Sequence, residues 1–185
     1  MNSNESASPA ISGKPNGTDI LFLIFMALVV VAVVVLGQMN FREGQHLEDA
    51  KRNGEAWVAW LNEAGAKRMD EGYEPKACAG GASEQKPAST WGACLEHILK
   101  ESELKDLVNT FHNQPMNVVE KCDKADRSTP GGIQFDNLVP TPAGSAVPMV
   151  VNPLKAEDLI GGKLQIRVTV CDKGGFPVKV AELEF

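Results

Sequence analysis

The sequence predicts an α+β fold: one amino-terminal transmembrane helix continues into an amphipathic helix, followed by a helical segment and a small antiparallel β-sheet domain. Three patterns predict it: an apolar run from Ile20 to Gly37, apolar residues at helical spacing from Leu47 to Ala64, and alternation of period two from Lys163 to Cys171. The predicted regions are a flexible polar tail (1–18), a transmembrane helix (19–39), an amphipathic helix (40–70) and a soluble α+β domain with disulfides (71–185).

The apolar run contains no charge, no proline and no polar side chain. Extended to Met39 it reaches about 20 residues, or roughly 30 Å of helix, which matches the hydrocarbon core of a bilayer. A cleaved signal peptide is the alternative, but its apolar region is usually only about 7–15 residues long and follows a basic segment. Here a single lysine, Lys14, precedes the run. We therefore expect a single-pass signal anchor.

The direction of the span is open, because two signals disagree. Lys14 is the one basic residue before it, whereas Arg42, Lys51 and Arg52 follow it, and the positive-inside rule would place the following domain in the cytoplasm. Long domains, however, translocate largely regardless of such charges. Because every cysteine lies after the span, we expect an extracytoplasmic domain, periplasmic or extracellular.

The four cysteines are disulfide candidates: Cys78, Cys94, Cys122 and Cys171. An even number in a loop-rich domain suggests disulfides, and three pairings are possible. We favour Cys78–Cys94 within a short loop and Cys122–Cys171 between distant segments. Zinc is the alternative for Cys94 and His97, which are three residues apart, but no second close pair of ligands accompanies them. We expect no metal.

An apolar stripe on the predicted amphipathic helix has spacings of three and four residues. Two roles are open for it. It either packs on the protein's own sheet, with Trp57 in the core, or serves as an interaction surface that pairs with a second copy or another protein. The stripe comprises Leu47, Ala50, Gly54, Trp57, Leu61 and Ala64.

The remaining elements follow from periodicity and from turn residues. Trp91–His112 is predicted to be helical, and Ser102 is an alternative start for a second helix. A long loop is predicted at Glu71–Ser89, and a helical turn is predicted at Leu154–Ile160. The predicted strands are Met116–Cys122, Ile133–Val139, Val147–Val151, and a hairpin of Lys163–Cys171 with Phe176–Phe185 that has a bulge at Ala181.

Asp19, directly before the apolar run, has two interpretations. It either belongs to the cap of the helix together with Thr18, or is a carboxylate that carries a proton or sodium ion within the membrane. The stretch Asp19-Ile-Leu-Phe-Leu-Ile-Phe-Met resembles the start of the single span in stator-type subunits of the TonB- and Tol-linked transport systems. That resemblance implies a role for Asp19 in ion-driven motion.

The order of elements is similar in outline to pilin-like subunits of bacterial pili and type II secretion systems. Those proteins combine a long amino-terminal helix with a disulfide-bearing sheet domain, which implies a structural role. They also have a basic leader that is cut after a glycine, and a Glu at the fifth mature position. Here Gly17 precedes Thr18 and Asp19, and Phe22 holds the fifth place.

Composition and motifs narrow the functional class. The net charge is −6 and no basic stripe occurs, so nucleic acid is not expected as a partner. The sequence contains no phosphate-binding loop, no haem-attachment motif and only three histidines without a supporting motif. We expect a non-enzymatic structural or assembly component of a cell-envelope complex, without a cofactor. Its partners would be the membrane and proteins or copies of itself, bound through the span and the stripe. The alternatives are an ion-driven subunit that uses Asp19 and a membrane-tethered ligand-binding or sensor domain.

Overall fold

The computed structural model describes residues 16–81, 89–142 and 147–185, and it confirms the α+β fold. Residues 1–15 of the predicted tail (1–18) and part of the predicted loop at 71–89 lie outside these residues, whereas Gly17 and Thr18 of the predicted tail are helical. Two short 3-10 helices, Lys76–Cys78 and Glu103–Asp106, supplement the main elements. The main elements are α1 (Gly17–Lys67), α2 (Trp91–Glu101), β1 (Val108–Asn109), β2 (Gln114–Pro115), β3 (Ile133–Pro140), β4 (Met149–Pro153), β5 (Gln165–Cys171) and β6 (Pro177–Glu184).

The chain divides into two compact units, Met1–Arg42 and Glu43–Phe185. The described part of the first unit is the amino-terminal portion of α1. The second unit holds the rest of α1, α2 and both sheets. Its larger sheet has four antiparallel strands in the order β4-β3-β5-β6, and its smaller sheet pairs β1 with β2.

The β5–β6 hairpin is where period-two alternation predicted it. Ile166, Val168 and Val170 of β5 are fully buried, as expected for the apolar face of a strand. Val168 lies opposite Ala181, whereas Thr169 lies opposite Lys179, so Val180 is an extra residue on β6. This bulge is one residue from the predicted position. It shifts the alternation of side chains by one residue, so that Leu183 near the end of the strand faces the core.

Four aromatic side chains form the centre of the core. Trp57 of α1 and Trp91 of α2 each lie 5.1 Å from the ring of Phe135 in β3, and Trp91 also contacts Phe185 at 6.1 Å in an edge-on arrangement. All four side chains are at most 2% exposed. Tilted and edge-on pairs of this kind add roughly 0.5–1.5 kcal/mol each beyond the burial of their area. The predicted core position of Trp57 is therefore confirmed.

Two glycines of α1 let the helix approach β6 and the segment after it closely. A Cβ on Gly54 would lie 2.8 Å from Cγ2 of Val180 and 3.1 Å from Cγ1 of Val170. A Cβ on Gly65 would lie 2.8 Å from the backbone oxygen of Glu184. Glycine costs an α-helix about 1 kcal/mol relative to alanine, and here the close contact requires it.

Two predicted elements between α2 and β3 are wrong. The helix from Trp91 ends at Glu101 because the Ser102 hydroxyl donates to the Ile98 carbonyl and accepts from the Leu104 amide. This confirms the alternative in which Ser102 starts a separate helix. After the 3-10 helix, the residues from Leu107 to His112 form the short strand β1 and a turn instead of a helix.

The predicted strand Met116–Cys122 is absent among the described residues. Only Val118 makes a single bridge, to Ile133, and the neighbouring side chain of Asn117 is bonded to Asn109 and to the Ser128 carbonyl. The segment is therefore held by one bridge and by side-chain hydrogen bonds instead of a regular ladder.

Two smaller predictions near β4 also need correction. The strand predicted at Val147–Val151 lies at Met149–Pro153, with Pro148 outside it, although its edge position is as expected. The predicted helical turn at Leu154–Ile160 is an irregular segment in which Asp158 accepts a hydrogen bond from the Lys155 amide.

We expect Gly65→Ala to destabilise the second unit by about 1–3 kcal/mol, because its methyl group would press on the backbone next to Phe185. Gly44→Ala is the matched control in the same helix, since nothing lies within 4 Å of its Cβ position. That change should be neutral or stabilising by up to about 1 kcal/mol. Denaturant unfolding in detergent, followed by tryptophan fluorescence, measures both. Equal effects at the two glycines would contradict the close packing.

Candidate functional site

The apolar half of α1 is uncovered in the structure. From Ile20 to Leu36 the large apolar side chains are 40–72% exposed, on every side of the helix. An 18-residue window in this helix has a mean hydropathy of 3.3, and among the described residues α1 alone is long and apolar enough to span a membrane. Removing each such side chain from water is worth about 1.5–3 kcal/mol, so this surface favours an apolar environment.

Asp19 lies in the first turn of α1 and takes part in its cap. Its carboxylate accepts a hydrogen bond of 3.1 Å from the backbone N–H of Asn16, and its own N–H donates to the Asn16 carbonyl at 2.9 Å. A third-position acidic residue that reaches back to the residue before the helix is half of a capping box. The prediction that Thr18 caps the helix is wrong, because the helix begins at Gly17 and Thr18 therefore lies inside it.

The predicted interaction stripe is buried by the protein's own sheet. Ala50, Gly54, Trp57, Leu61 and Ala64 are all buried, and Leu47 is packed against the same core. Of the two roles left open by the sequence, packing on the sheet is the one observed. The stripe is not an exposed surface for a partner, because β3, β5 and β6 supply the apolar contacts that its spacing anticipates.

Both favoured disulfides are present. Cys78–Cys94 joins the short helix at Lys76–Cys78 to α2, across 16 residues of sequence. Cys122–Cys171 ties the segment before β3 to the end of β5, across 49 residues. All four cysteines are buried, so both bridges belong to the packed interior of the second unit.

The histidine considered as a zinc ligand has a different neighbour. Because Cys94 is bonded to Cys78, it supplies no thiolate, and Nδ1 of His97 lies 3.3 Å from a carboxylate oxygen of Glu101 one turn along α2. Within the ranges that the structure describes, no group of three or more potential metal ligands comes together.

Arg68 is a buried cation that periodicity did not single out. Its guanidinium lies 4.2 Å from the centre of the Phe185 ring, while Nε donates to the Cys78 carbonyl and Nη1 to the Gly162 carbonyl. Burial lowers the pKa of Arg68 to about 10, although the nearby Tyr73 opposes this shift. The side chain joins the end of α1 to three other segments, which is a structural role.

The other pKa shifts arise mainly at surface ion pairs. Lys67 lowers the pKa of Glu63, chiefly through their hydrogen bond, and Lys100 does the same for Glu96 one turn away on α2. Arg167 and Lys179 lower the pKa of Glu182 on the outer sheet surface. Such exposed pairs contribute little to stability and are ordinary for solvated faces.

The second unit has several open cavities. One, of about 250 Å³, lies beside Trp60, Glu63 and Tyr73. Another, of about 510 Å³, lies between Leu47, Phe111 and the turn after β5, where Lys173 pairs with Glu43. The first cavity is lined by two aromatic rings and several charged side chains, and the second by one aromatic ring and charged side chains.

Comparison with known proteins adds no relative. No protein-family model matches the chain, and neither the search of curated proteins nor the search of solved structures found a match.

We expect removal of Cys122–Cys171 to cost more stability than removal of Cys78–Cys94. The longer closed loop restricts the unfolded chain more, and loop entropy gives about 4 kcal/mol against about 3 kcal/mol for the shorter one. Paired Cys→Ala variants, compared by denaturant unfolding under non-reducing conditions, measure the difference. The reverse order would show that loop closure does not dominate.

Proposed function

We propose that the chain is a single-pass, membrane-anchored, non-enzymatic structural or assembly component of a cell-envelope complex. The observation that carries the proposal is the uncovered apolar half of α1, attached to a separate unit with a closed core and two disulfides.

The anchor follows from the cost of hydrating so much apolar surface. Large side chains such as Leu21 and Phe22 are uncovered all around the helix, and a bilayer is the solvent in which such a surface is stable. A run of this kind with a capped first turn needs no further protein to satisfy its backbone, because helix hydrogen bonds are internal.

The extracytoplasmic location of the second unit is supported by its disulfides. Disulfides persist in oxidising compartments and are rare in the cytosol, where thiols are kept reduced. Arg42, Lys51 and Arg52 favour the opposite direction, but a translocated unit of this size is weakly governed by such charges.

The non-enzymatic class is supported by where the reactive side chains are used. The four cysteines form two disulfides, and His97 faces a glutamate on its own helix. Carboxylates with a shifted pKa, such as that of Glu63, owe the shift to a surface lysine or arginine. Catalytic groups are instead perturbed by burial and by each other within a cleft.

Partner contacts must use surfaces other than the stripe. Since the stripe from Leu47 to Ala64 is occupied by the sheet, the apolar segment of α1 and the open surface of the second unit remain for assembly. Within a bilayer, helices associate through close packing of small residues, and Ala27, Ala32 and Gly37 are the small residues of this run.

We expect cysteine labelling in intact cells to place the second unit outside the cytoplasm. A membrane-impermeant maleimide should label a Glu157→Cys variant in intact cells, because that position is exposed, whereas the four native cysteines are buried and oxidised and should not react. A matched Ser3→Cys variant reports the opposite side and should stay protected until the cells are opened. Free thiols in the native chain, reachable only from the cytoplasm, would overturn the location.

We expect the apolar segment to make specific protein contacts besides anchoring. Replacing residues 20–37 by leucines of equal length should keep the chain in the membrane but shift it from a large species to a smaller one on native gels in mild detergent. Leu→Ile changes at Leu21 and Leu23 serve as controls that preserve apolar volume. A native chain that is monomeric and without a partner would contradict the proposal.

Asp19→Asn separates assembly from ion-driven function. The amide keeps an oxygen that can accept from the Asn16 N–H, but it cannot take up and release a proton as a carboxylate does. If Asp19 is a cap, the variant should therefore form the same large species on native gels and keep the activity of its complex. An assembled but inactive complex would instead favour the ion-carrying alternative.

A further inference from the structure

The register of β4 defines which of its backbone groups are open. β4 is the first strand in the order β4-β3-β5-β6, and among the described residues nothing pairs with its outer side. In the β3–β4 ladder the Leu154 N–H donates to the Phe135 carbonyl, so the even-numbered residues of β4 bond to β3. Met149 and Val151, in the other register, therefore direct an N–H and a carbonyl each away from the sheet.

Two prolines limit how much of this edge can pair with another chain. Pro148 lies in the register that faces β3, where its carbonyl accepts from the Thr141 N–H, so it removes no donor from the outer side. Pro153 lies in the outer register, and its ring occupies the direction in which an N–H would donate. Before Pro148, the Val147 carbonyl accepts from the Thr141 hydroxyl. The open part of the edge is therefore confined to Met149–Val151.

This three-residue window is complementary to itself. When two copies are paired antiparallel about Val150, Met149 of each copy lies opposite Val151 of the other, and the two N–H and two carbonyl groups of each window are all bonded. Pro153 of each copy then falls beyond the paired window, opposite the bend at Val147. Because the Val147 carbonyl is already bonded within its own chain, the proline ring does not meet an outward carbonyl.

The side chains of the window also suit such a twofold pair. Met149, Val150 and Val151 are 42–44% exposed although all three are apolar, and Val139 of β3 extends the surface beside Val150. Pairing would bring Val150 of the two copies together on one face of the sheet, and Met149 against Val151 on the other face. Apolar and β-branched pairs between neighbouring strands stabilise a sheet.

The lack of charge favours a second copy over a different protein. No charged residue occurs from Asn137 to Leu154, whereas charged residues make up 23% of the whole chain. A twofold axis places side chains near their own counterparts, so a charge here would face the same charge. Contacts between different proteins instead use complementary charges to set register and specificity, and this edge offers none. The prolines also disfavour a long added strand, whereas a copy brings an equally short window.

We propose that β4 pairs with β4 of a second copy of this chain, antiparallel about Val150, and thereby joins the two four-stranded sheets. The inference rests on the assembly role proposed above and names the surface of the second unit that would carry it. Three residues from each copy form a small contact, which is weak between chains in solution. Confinement of both copies to one membrane raises their effective concentration and favours the pair.

Cysteine cross-linking of the full chain in its membrane tests the pair. In the proposed register the two Val150 Cα atoms lie about 4.5 Å apart, within the range of about 4.4–6.8 Å that a disulfide spans. The native cysteines are bonded within the chain, so an introduced thiol is the reporter. Under mild oxidation we expect Val150→Cys to give at least about ten times more covalent dimer than the control below.

Val139→Cys is the matched control. Val139 is 41% exposed, against 44% for Val150, and the two lie opposite each other in β3 and β4. In the proposed dimer, however, the two Val139 positions are separated by three strand spacings, or about 14 Å, which is beyond the reach of a disulfide.

A second pair of variants tests the backbone hydrogen bonds. In the Val150→Cys background, Val151→Pro removes one outward N–H without removing a bond to β3, and it should lower the covalent dimer at least about tenfold. Val151→Thr keeps the N–H and the branched side chain, so it should preserve the dimer. Tryptophan fluorescence checks that each variant is folded.

Equal cross-linking at positions 139 and 150, or none at position 150, would overturn the pair. So would a dimer that Val151→Pro leaves unchanged, because apolar contact without strand pairing would explain it. Cross-linking of Val150→Cys to a different protein would overturn the choice of a second copy. The proposed function has a separate readout: a large species on native gels without the covalent dimer would keep assembly and overturn the pair at β4. A covalent dimer in a chain that forms no larger species would do the reverse.

Discussion

The packing of the carboxyl-terminal half of α1 on the four-stranded sheet is the contact on which the second unit depends. Gly54 and Gly65 bring the helix backbone close to β6, and Trp57 then reaches Phe135 in the centre of the core. Arg68, just after the helix, packs over the Phe185 ring and donates a hydrogen bond to the carbonyl of Cys78 in the short helix Lys76–Cys78. Because interiors are close-packed, a change in helix position would disturb each of these contacts together.

The pattern of apolar residues changes along the length of α1. Between Ile20 and Leu36 its side chains are apolar on all sides and uncovered, which suits lipid. From Leu47 onward the apolar residues narrow to a stripe, and the opposite face carries charged residues such as Lys51, Arg52 and Glu55. Both patterns belong to α1, which extends from Gly17 to Lys67.

The elements that sequence patterns could predict are those whose periodicity reflects a single buried face. The β5–β6 hairpin and the stripe of α1 are of this kind, and even the bulge was visible in the broken alternation near Ala181. The segment from Leu107 to Cys122 differs from the predicted helix and strand because hydrogen bonds of polar side chains determine its conformation. Asn109 is buried and bonds to Asn117, the Pro130 carbonyl and the Phe111 amide, a network that depends on residues distant in sequence.

The candidate site was predictable only in part for a related reason. The candidate span and the disulfides could be predicted, because the first depends on the length of an apolar run and the second on the number and position of cysteines. The buried position of Arg68 and the uncovered edge at Met149–Pro153 depend on which strands become neighbours, and composition does not encode strand order.

The order in which the core is completed has a consequence for how the protein is made. The stripe of α1 is synthesised early, yet β5 and β6, which cover it, come at the far end of the sequence, so its burial depends on contacts of long sequence separation. A nascent chain holds Trp57 and Leu61 uncovered for most of its synthesis. The Cys122–Cys171 bond likewise forms only after synthesis has reached the end of β5, 49 residues beyond Cys122.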